Sequence, residues 1–292
     1  MKACLKVREL LSLSAVVALG LVAGCRGGPE AQSATTAPTR LRAGDAFPPT
    51  MLYVGSSTIA NFLREAEPVY GKVKFVLDTV PESVGGEAAV RERLCDLAGT
   101  AMEPAEETRA EGVQVTLLGT DTIAVLVHPT NPLSNITITD LRRVFTGSVT
   151  NWKEIGGPNR PLVPMIVGPK SATGIVFRTL VLQSDDYAGC RLVTPDPEMP
   201  KEVEEEPGAI GILSFSFACA SGAVKLLRVD GQPPAPSNLG YPLVRPLHLL
   251  WWSDNPRAAD FAAWCGTDDG EKVLLKCFDR PRILRGPAFI GR

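Results

Sequence analysis

Apolar and polar positions between residues 118 and 157 follow first one period and then another. Thr122 to Val127 is a run rich in β-branched residues, ended by His128-Pro129, and it predicts a strand. The polar stretch Asn131-Pro132-Leu133-Ser134-Asn135 predicts a turn. From Thr137 the spacing becomes helical: Leu141, Val144 and Phe145 form one apolar stripe. Thr137 and Asp140 have the spacing of a capping box, and Gly147 stands where a C-terminal cap belongs. The tail Thr150-Asn151-Trp152-Lys153-Glu154-Ile155-Gly156-Gly157 predicts a wrapped surface turn pinned by its one Trp.

The alternation recurs. Met51-Leu52-Tyr53-Val54 predicts a strand that runs into Gly55-Ser56-Ser57-Thr58, after which Ile59, Phe62, Leu63 and Ala66 keep helical spacing until Pro68. Val73 to Leu77 predicts a strand, and Ser83-Val84-Gly85-Gly86 precedes a helix expected over about Glu87 to Leu94. Val163 to Val167 predicts another strand, with Lys170-Ser171-Ala172-Thr173-Gly174 ahead of a helix carrying Val176, Phe177, Leu180 and Val181. Strands alternating with helices predict a parallel-rich α/β sheet, in which ligands sit at the carboxyl ends of strands. A single Ser/Thr/Gly turn at a helix start is an ordinary N-cap. Three such turns in one chain imply more, because converging helix starts can surround a tetrahedral oxyanion with N–H groups and hydroxyls.

Composition adds an address. The chain has 292 residues, is 45% hydrophobic and 21% charged, and carries a formal net charge of -2, which gives no sign of nucleic-acid binding. Lys2, Lys6 and Arg8 precede an apolar run from Leu10 to Gly24, too short to favour a membrane span. The run ends Leu21-Val22-Ala23-Gly24-Cys25, which resembles a bacterial lipobox and implies cleavage before Cys25 and lipidation of its thiol. Residues 1–24 are therefore expected as a signal peptide. Residues 25–47, rich in Ala, Gly, Thr and Pro, are expected as a lipidated flexible tether. Five cysteines remain: Cys95, Cys190, Cys219, Cys265 and Cys277. Cys265 with Cys277 and Cys190 with Cys219 are candidate disulfides, and an odd count leaves at least one thiol over. No Cys-x-x-Cys occurs and the histidines are His128 and His248, so no zinc site is expected. No Ser/His/Asp or Cys/His set stands out, so no enzyme is expected either.

The order of residues in Asn131 to Gly157, NP…SN-T…L…F-G…NW-E-GG, resembles the middle of the phosphate-binding proteins that serve ABC importers, members of the type II periplasmic binding protein superfamily. Pro207-Gly208-Ala209-Ile210-Gly211-Ile212-Leu213-Ser214 and Tyr241-Pro242-Leu243-Val244-Arg245-Pro246-Leu247 resemble two more of its segments. By that resemblance the anion loops are Gly55-Ser56-Ser57 with Thr58, Ser83 to Gly86 including Gly85, and Lys170-Ser171-Ala172-Thr173, with Thr100 nearby. Two departures stand out. The family's Arg before the third loop is replaced by Val167-Gly168-Pro169-Lys170, and Lys offers a point charge, not a fork. Ala101 and Met102 fall where the family carries polar or charged groups, leaving Glu103 to serve if the loop shifts by one. Arg245 reads as a structural Arg, and Asp196, Glu198, Glu202, Glu204, Glu205 and Glu206 as a solvated acidic face.

The resemblance implies a two-domain α/β type II periplasmic-binding-protein-like fold with a hinge and an interdomain ligand cleft. Residues 48–121 plus 228–292 are expected as a discontinuous domain I and 122–227 as domain II, with crossings near Thr120 to Ile123 and Val224 to Arg228. It also implies a monomeric, cofactor-free, extracytoplasmic lipoprotein anchored through Cys25. Such a protein captures phosphate or a related tetrahedral oxyanion for an ABC permease. The departures motivate an alternative, a degenerate domain used as a sensor or scaffold.

Overall fold

A computed structural model describes residues 48–235 and 237–280. The signal peptide, Cys25 and the tether expected over 1–47 lie outside these residues. Strands β1 (Thr50–Gly55), β2 (Lys74–Asp78) and β3 (Leu97–Thr100) alternate with helices α1 (Ser57–Tyr70), α2 (Glu82–Arg91) and α3 (Glu106–Ala110). The long strand β4 (Gln114–Val127) follows, then the short β5 (Asn135–Ile136), α4 (Ile138–Phe145), β6 (Val163–Val167), α5 (Ala172–Phe177) and β7 (Arg191–Val193). After α6 (Met199–Glu205) come β8 (Ala209–Ser214), α7 (Phe215–Ser221), β9 (Lys225–Leu226), β10 (Arg228–Val229) and β11 (Val244–Trp251). Helices α8 (Pro256–Trp264) and α9 (Asp268–Cys277) close the described chain.

The described residues form one unit by their contacts, and its main sheet runs β2-β1-β3-β11-β4-β8-β6-β7. The sheet is mixed: β1 is parallel to β2 and β3, β6 is parallel to β7 and β8, and β11 and β8 are antiparallel to β4. One strand joins the halves. β4 pairs with β11 up to Thr122 and with β8 from Ile123 onward, and all its residues from Leu118 to Val127 are buried. A strand buried on both faces reads as a continuous apolar run.

Each half has its own core. Phe62, Leu97, Leu247 and Phe261 belong to the first, and Ile123, Phe145, Trp152 and Ile212 to the second. Leu227, Val229, Tyr241, Leu243 and Val244 also pack in the second core. The expected crossing near Val224 to Arg228 thus falls on residues next to this second core, and the chain passes to the first core along β11, which begins at Val244. The pattern there reads as one crossover strand. The chain instead makes two short ones, β9 on β4 and β10 on β5, both within the second half.

Local chemistry sets the helix ends. Thr137 caps α4 by accepting from Asp140 N at 3.0 Å, as its spacing predicts. α1 runs through Pro68 to Gly71, whose φ of 69° and N–H to Glu67 O (2.9 Å) end it. Pro68 lacks the N–H for the carbonyl four residues back and its ring crowds that carbonyl, so it is placed where the helix is about to end. α2 begins earlier than expected, at Glu82, so Ser83, Gly85 and Gly86 lie inside its first turns. The five cysteines are free thiols, so neither candidate disulfide forms; burial pushes the Cys265 thiol up to about 12.

Candidate functional site

The carboxyl ends of β1, β2, β6 and β7 face one another across the junction of the two halves. Between them lies a cavity of about 650 Å³, lined by Ser57, residues 79, 80 and 82, residues 168–171 and residues 194–197. This is where a mixed α/β sheet presents helix starts to a ligand.

Arg245 stands at the meeting point. It opposes Asp121 across the β11–β4 pair; Nε and Nη2 lie 2.9 and 2.8 Å from Asp121 Oδ2. Nη1 donates to Thr173 Oγ1 at 2.8 Å and Nη2 to Thr58 Oγ1 at 3.1 Å. These contacts use four of the guanidinium's five N–H groups, the fifth being on Nη1. The arrangement has a consequence for the hydroxyls. Each threonine oxygen accepts from Arg245, so each O–H remains to be donated elsewhere. Asp121 is held in turn by Ser214 Oγ, 3.1 Å from Oδ1. Arg245, read from the sequence as a structural Arg, is buried, and it bonds the first helix-start hydroxyl from one half and the third from the other.

The remaining expected residues divide by role. Ser57 opens α1, where first-turn N–H groups have no intrahelical acceptor. Ser171 caps α5 and donates to Asp196 Oδ2 at 2.5 Å. Lys170 lines the cavity, and its carbonyl accepts from Val84 N of the opposite half at 3.4 Å. Ser56 N is committed to Gly99 O at 2.9 Å, and Ser83 Oγ accepts from Ala101 N at 3.2 Å. Thr100 Oγ1 is buried with no hydrogen bond among the described residues. Ala172 packs into the first core.

The glycines are packing positions. A Cβ on Gly55, whose φ is +141°, would lie 2.3 Å from Gly99 O, and a Cβ on Gly86 would lie 2.6 Å from Gly55 Cα. A Cβ on Gly85 would meet that of Pro81 at 2.4 Å. Gly86→Ala is therefore expected to push α2 off β1 and cost about 1–3 kcal/mol, read as a lower urea midpoint.

Two carboxylates complete the site, and neither was singled out for it by sequence. Asp196 was grouped with the acidic face, yet it is 4% exposed. Burial raises its pKa, against the pull of Ser171, Arg245 and the Gly168 N–H. Glu82, the first residue of α2, adopts φ +54° and lines the same cavity as Ser57. Burial and the charge of Asp196 push the Glu82 carboxyl up to about 7, although Arg245 and Ser57 oppose them. Glu103 is exposed and lies near Arg109 (3.3 Å) and His248 (3.9 Å), so it does not line the cavity.

Known proteins carry the same architecture. The PBP superfamily domain matches residues 29–269. The phosphate-binding protein PstS of Bacillus subtilis is 28% identical over 166 residues, 56% of this chain and 54% of that protein. PstS of Borreliella burgdorferi is 27% identical over 176 residues, 56% of this chain and 63% of its own length. Protein SphX of Synechococcus elongatus is 28% identical over 67% of this chain and 66% of its own. The chain thus spans between about half and two thirds of these relatives. Among solved structures, a putative phosphate ABC transporter substrate-binding protein from Clostridium perfringens with bound phosphate superposes with a TM-score of 0.74 at 22% identity, covering 80% of this chain and 99% of that one. A phosphate transport receptor from Vibrio cholerae gives 0.64 at 21% identity, covering 79% and 100%. The match over most of the sequence and the shared mixed sheet lead to one conclusion: this chain belongs to the PBP superfamily and has its type II fold.

Proposed function

We propose that the protein is an extracytoplasmic solute-binding lipoprotein, anchored through Cys25, that captures inorganic phosphate or a related tetrahedral oxyanion for an ABC importer. One observation carries this reading: Arg245 bonds Thr58 and Thr173, one from each half, at two helix starts whose neighbours Ser57 and Ser171 line the cavity. Ser57, Ser171 and the first-turn N–H groups of α1 add donors from both sides, and Lys170 adds a point charge at the rim. The names of the relatives and the phosphate in the Clostridium protein support the same ligand class. The two halves act as domains that close over the anion, with β4 near Thr122 and the Val244–Arg245 passage as hinge strands. The role is capture rather than turnover.

Calorimetric titration of the anion-stripped protein with phosphate and then sulfate tests the reading. Tight phosphate binding is expected. Ser57→Ala with Thr173→Ala removes two hydroxyls, each worth about 1.5–3 kcal/mol to a charged ligand, so affinity is expected to fall about 100-fold or more. Unchanged affinity in the double variant would remove the site assignment. The resident carboxylates of Glu82 and Asp196 favour a second reading, a sensor or scaffold without transport, and no heat from phosphate at any pH would select it.

A further inference from the structure

The cavity between the halves is larger than an inorganic anion needs. Its volume of about 650 Å³ lies within the ~300–1,000 Å³ of sites that take organic small molecules. Val80, Pro169, Pro195 and Pro197 line it, and inorganic phosphate has no carbon to lay against them. The charges also differ from those expected around a bare dianion. The charged side chains of the lining are Glu82, Lys170 and Asp196, two carboxylates against one ammonium. Asp196 is buried, and it accepts a hydrogen bond from the neutral Ser171 hydroxyl at 2.5 Å. Neither Asp196 nor Glu82 has an ion-pair partner among the described residues. Arg245 is paired with Asp121 at 2.8 Å. A buried carboxylate without a cation is costly, so the wall formed by Asp196 calls for one.

We propose that the oxyanion captured here carries an organic substituent: the ligand is a phosphoryl group joined by a short carbon chain to a primary ammonium, as a phosphonate or a phosphomonoester. This rests on the phosphate reading and deepens it. The phosphoryl head uses the same donors, namely the Ser57 hydroxyl, Lys170 and the first-turn N–H groups of the 14-residue helix α1. The ammonium supplies the cation that the two carboxylates lack. Glu82 opens α2 in the first half and Asp196 follows β7 in the second. One ammonium has three N–H donors, so it serves both walls and links them on closure. Ser171 holds Asp196 in place for it. The carbons occupy the space lined by Val80 and the prolines. A quaternary ammonium is a poorer match, since it has no N–H to donate and no aromatic side chain lines the cavity to receive it. A metal ion is a poorer match too: among the described residues no group of three His, Cys, Asp or Glu side chains is placed to hold one.

Calorimetric titration of the full chain with phosphate, ethylphosphonate, 2-aminoethylphosphonate and phosphoethanolamine tests the proposal, at about pH 7, where an alkylammonium is charged. At least one of the two ammonium-bearing probes is expected to bind about 10- to 100-fold more tightly than ethylphosphonate, the gain from charge-assisted hydrogen bonds to buried carboxylates. It is also expected to bind more tightly than phosphate. The two probes differ in a P–C or a P–O–C linkage, so the tighter of them identifies the source of the ligand. Asp196→Asn with Glu82→Gln is expected to bring the preference over ethylphosphonate close to one. Glu82→Gln alone, at a half-buried position, is expected to lower it about threefold or more. Each preference is a ratio of two affinities on one protein, so a general weakening of the site cancels. Phosphate bound more tightly than both ammonium-bearing probes, or neither probe bound more tightly than ethylphosphonate, overturns the proposal and leaves phosphate capture standing. A preference that survives in both variants overturns it as well. Heat from none of the four ligands overturns both readings.

Discussion

Arg245→Met is expected to destabilise the protein by about 3–5 kcal/mol and to abolish phosphate binding. The arginine is 2% exposed and the side chain it pairs with, Asp121, only 3%. Removing the guanidinium leaves the carboxylate buried with Ser214 as its remaining side-chain donor, and an uncompensated buried charge is the most costly result of such a change. Binding is lost for a different reason. Thr58 and Thr173 lose the donor that fixes their lone pairs. The two effects separate in a second variant. Arg245→Met with Asp121→Leu removes the pair together, which is often neutral or stabilising relative to the ion pair, so most of the stability is expected to return and the binding is not. Arg245→Lys keeps the charge opposite Asp121 but not the fork that spans both threonines; it is expected to fold and to bind phosphate more weakly. Urea unfolding and calorimetry read the two quantities. Full phosphate affinity in the double variant would show that Arg245 serves the fold alone.

The contrast between Thr137 and Glu82 shows what could be read ahead of the structure. Thr137, Asp140 and the stripe Leu141–Val144–Phe145 lie within one helix turn or two of each other, so their roles are written locally. The same holds for Asn151 and Glu154, which form a capping box. Whereas α2 starts at Glu82, ahead of the expected Glu87, the helix starts at Ser57 and Ser171 were legible for the same reason. What held them together was not. Asp121 and Arg245 are 124 positions apart, and only β4 pairing with β11 places them side by side. The available signal was a charged residue inside each of two otherwise apolar strands, Asp121 in TDTIAVLV and Arg245 in VRPLHLL. Glu82 gave no signal, because its place on the cavity comes from where α2 starts, with a left-handed backbone angle that no local pattern predicts. Asp196 was obscured by its neighbours: five nearby glutamates suggested a solvated face, while Ser171 drew this one carboxylate inward.

Trp152→Ala is expected to cost as much stability as loss of Arg245, about 3–5 kcal/mol, yet to leave phosphate affinity unchanged. Trp152 is fully buried in the second core. Its turn is fixed from several sides: Asn151 Oδ1 accepts from Lys153 N (3.0 Å) and Arg160 N (3.2 Å), and Glu154 Oε1 accepts from Asn151 N (2.9 Å). So little of the surrounding backbone is free to collapse into the space the indole leaves, and the cavity cost adds to the transfer cost. The indole Nε1 donates to Gly208 O at 2.9 Å. That carbonyl also accepts from Val163 N at 3.0 Å, so Trp152→Phe leaves it partnered and is expected to cost only about 1 kcal/mol for the lost hydrogen bond. The position explains why binding is spared. Val163 and Gly208 stand at the amino ends of the parallel strands β6 and β8, whereas the cavity is built from the loop that leaves the carboxyl end of β6. One end of these strands holds the second half together and the other presents the anion donors. A urea midpoint lowered in Trp152→Ala, with an unaltered phosphate isotherm under conditions where the variant is folded, is the outcome this division requires. A weakened isotherm would mean that the two ends are coupled through the sheet.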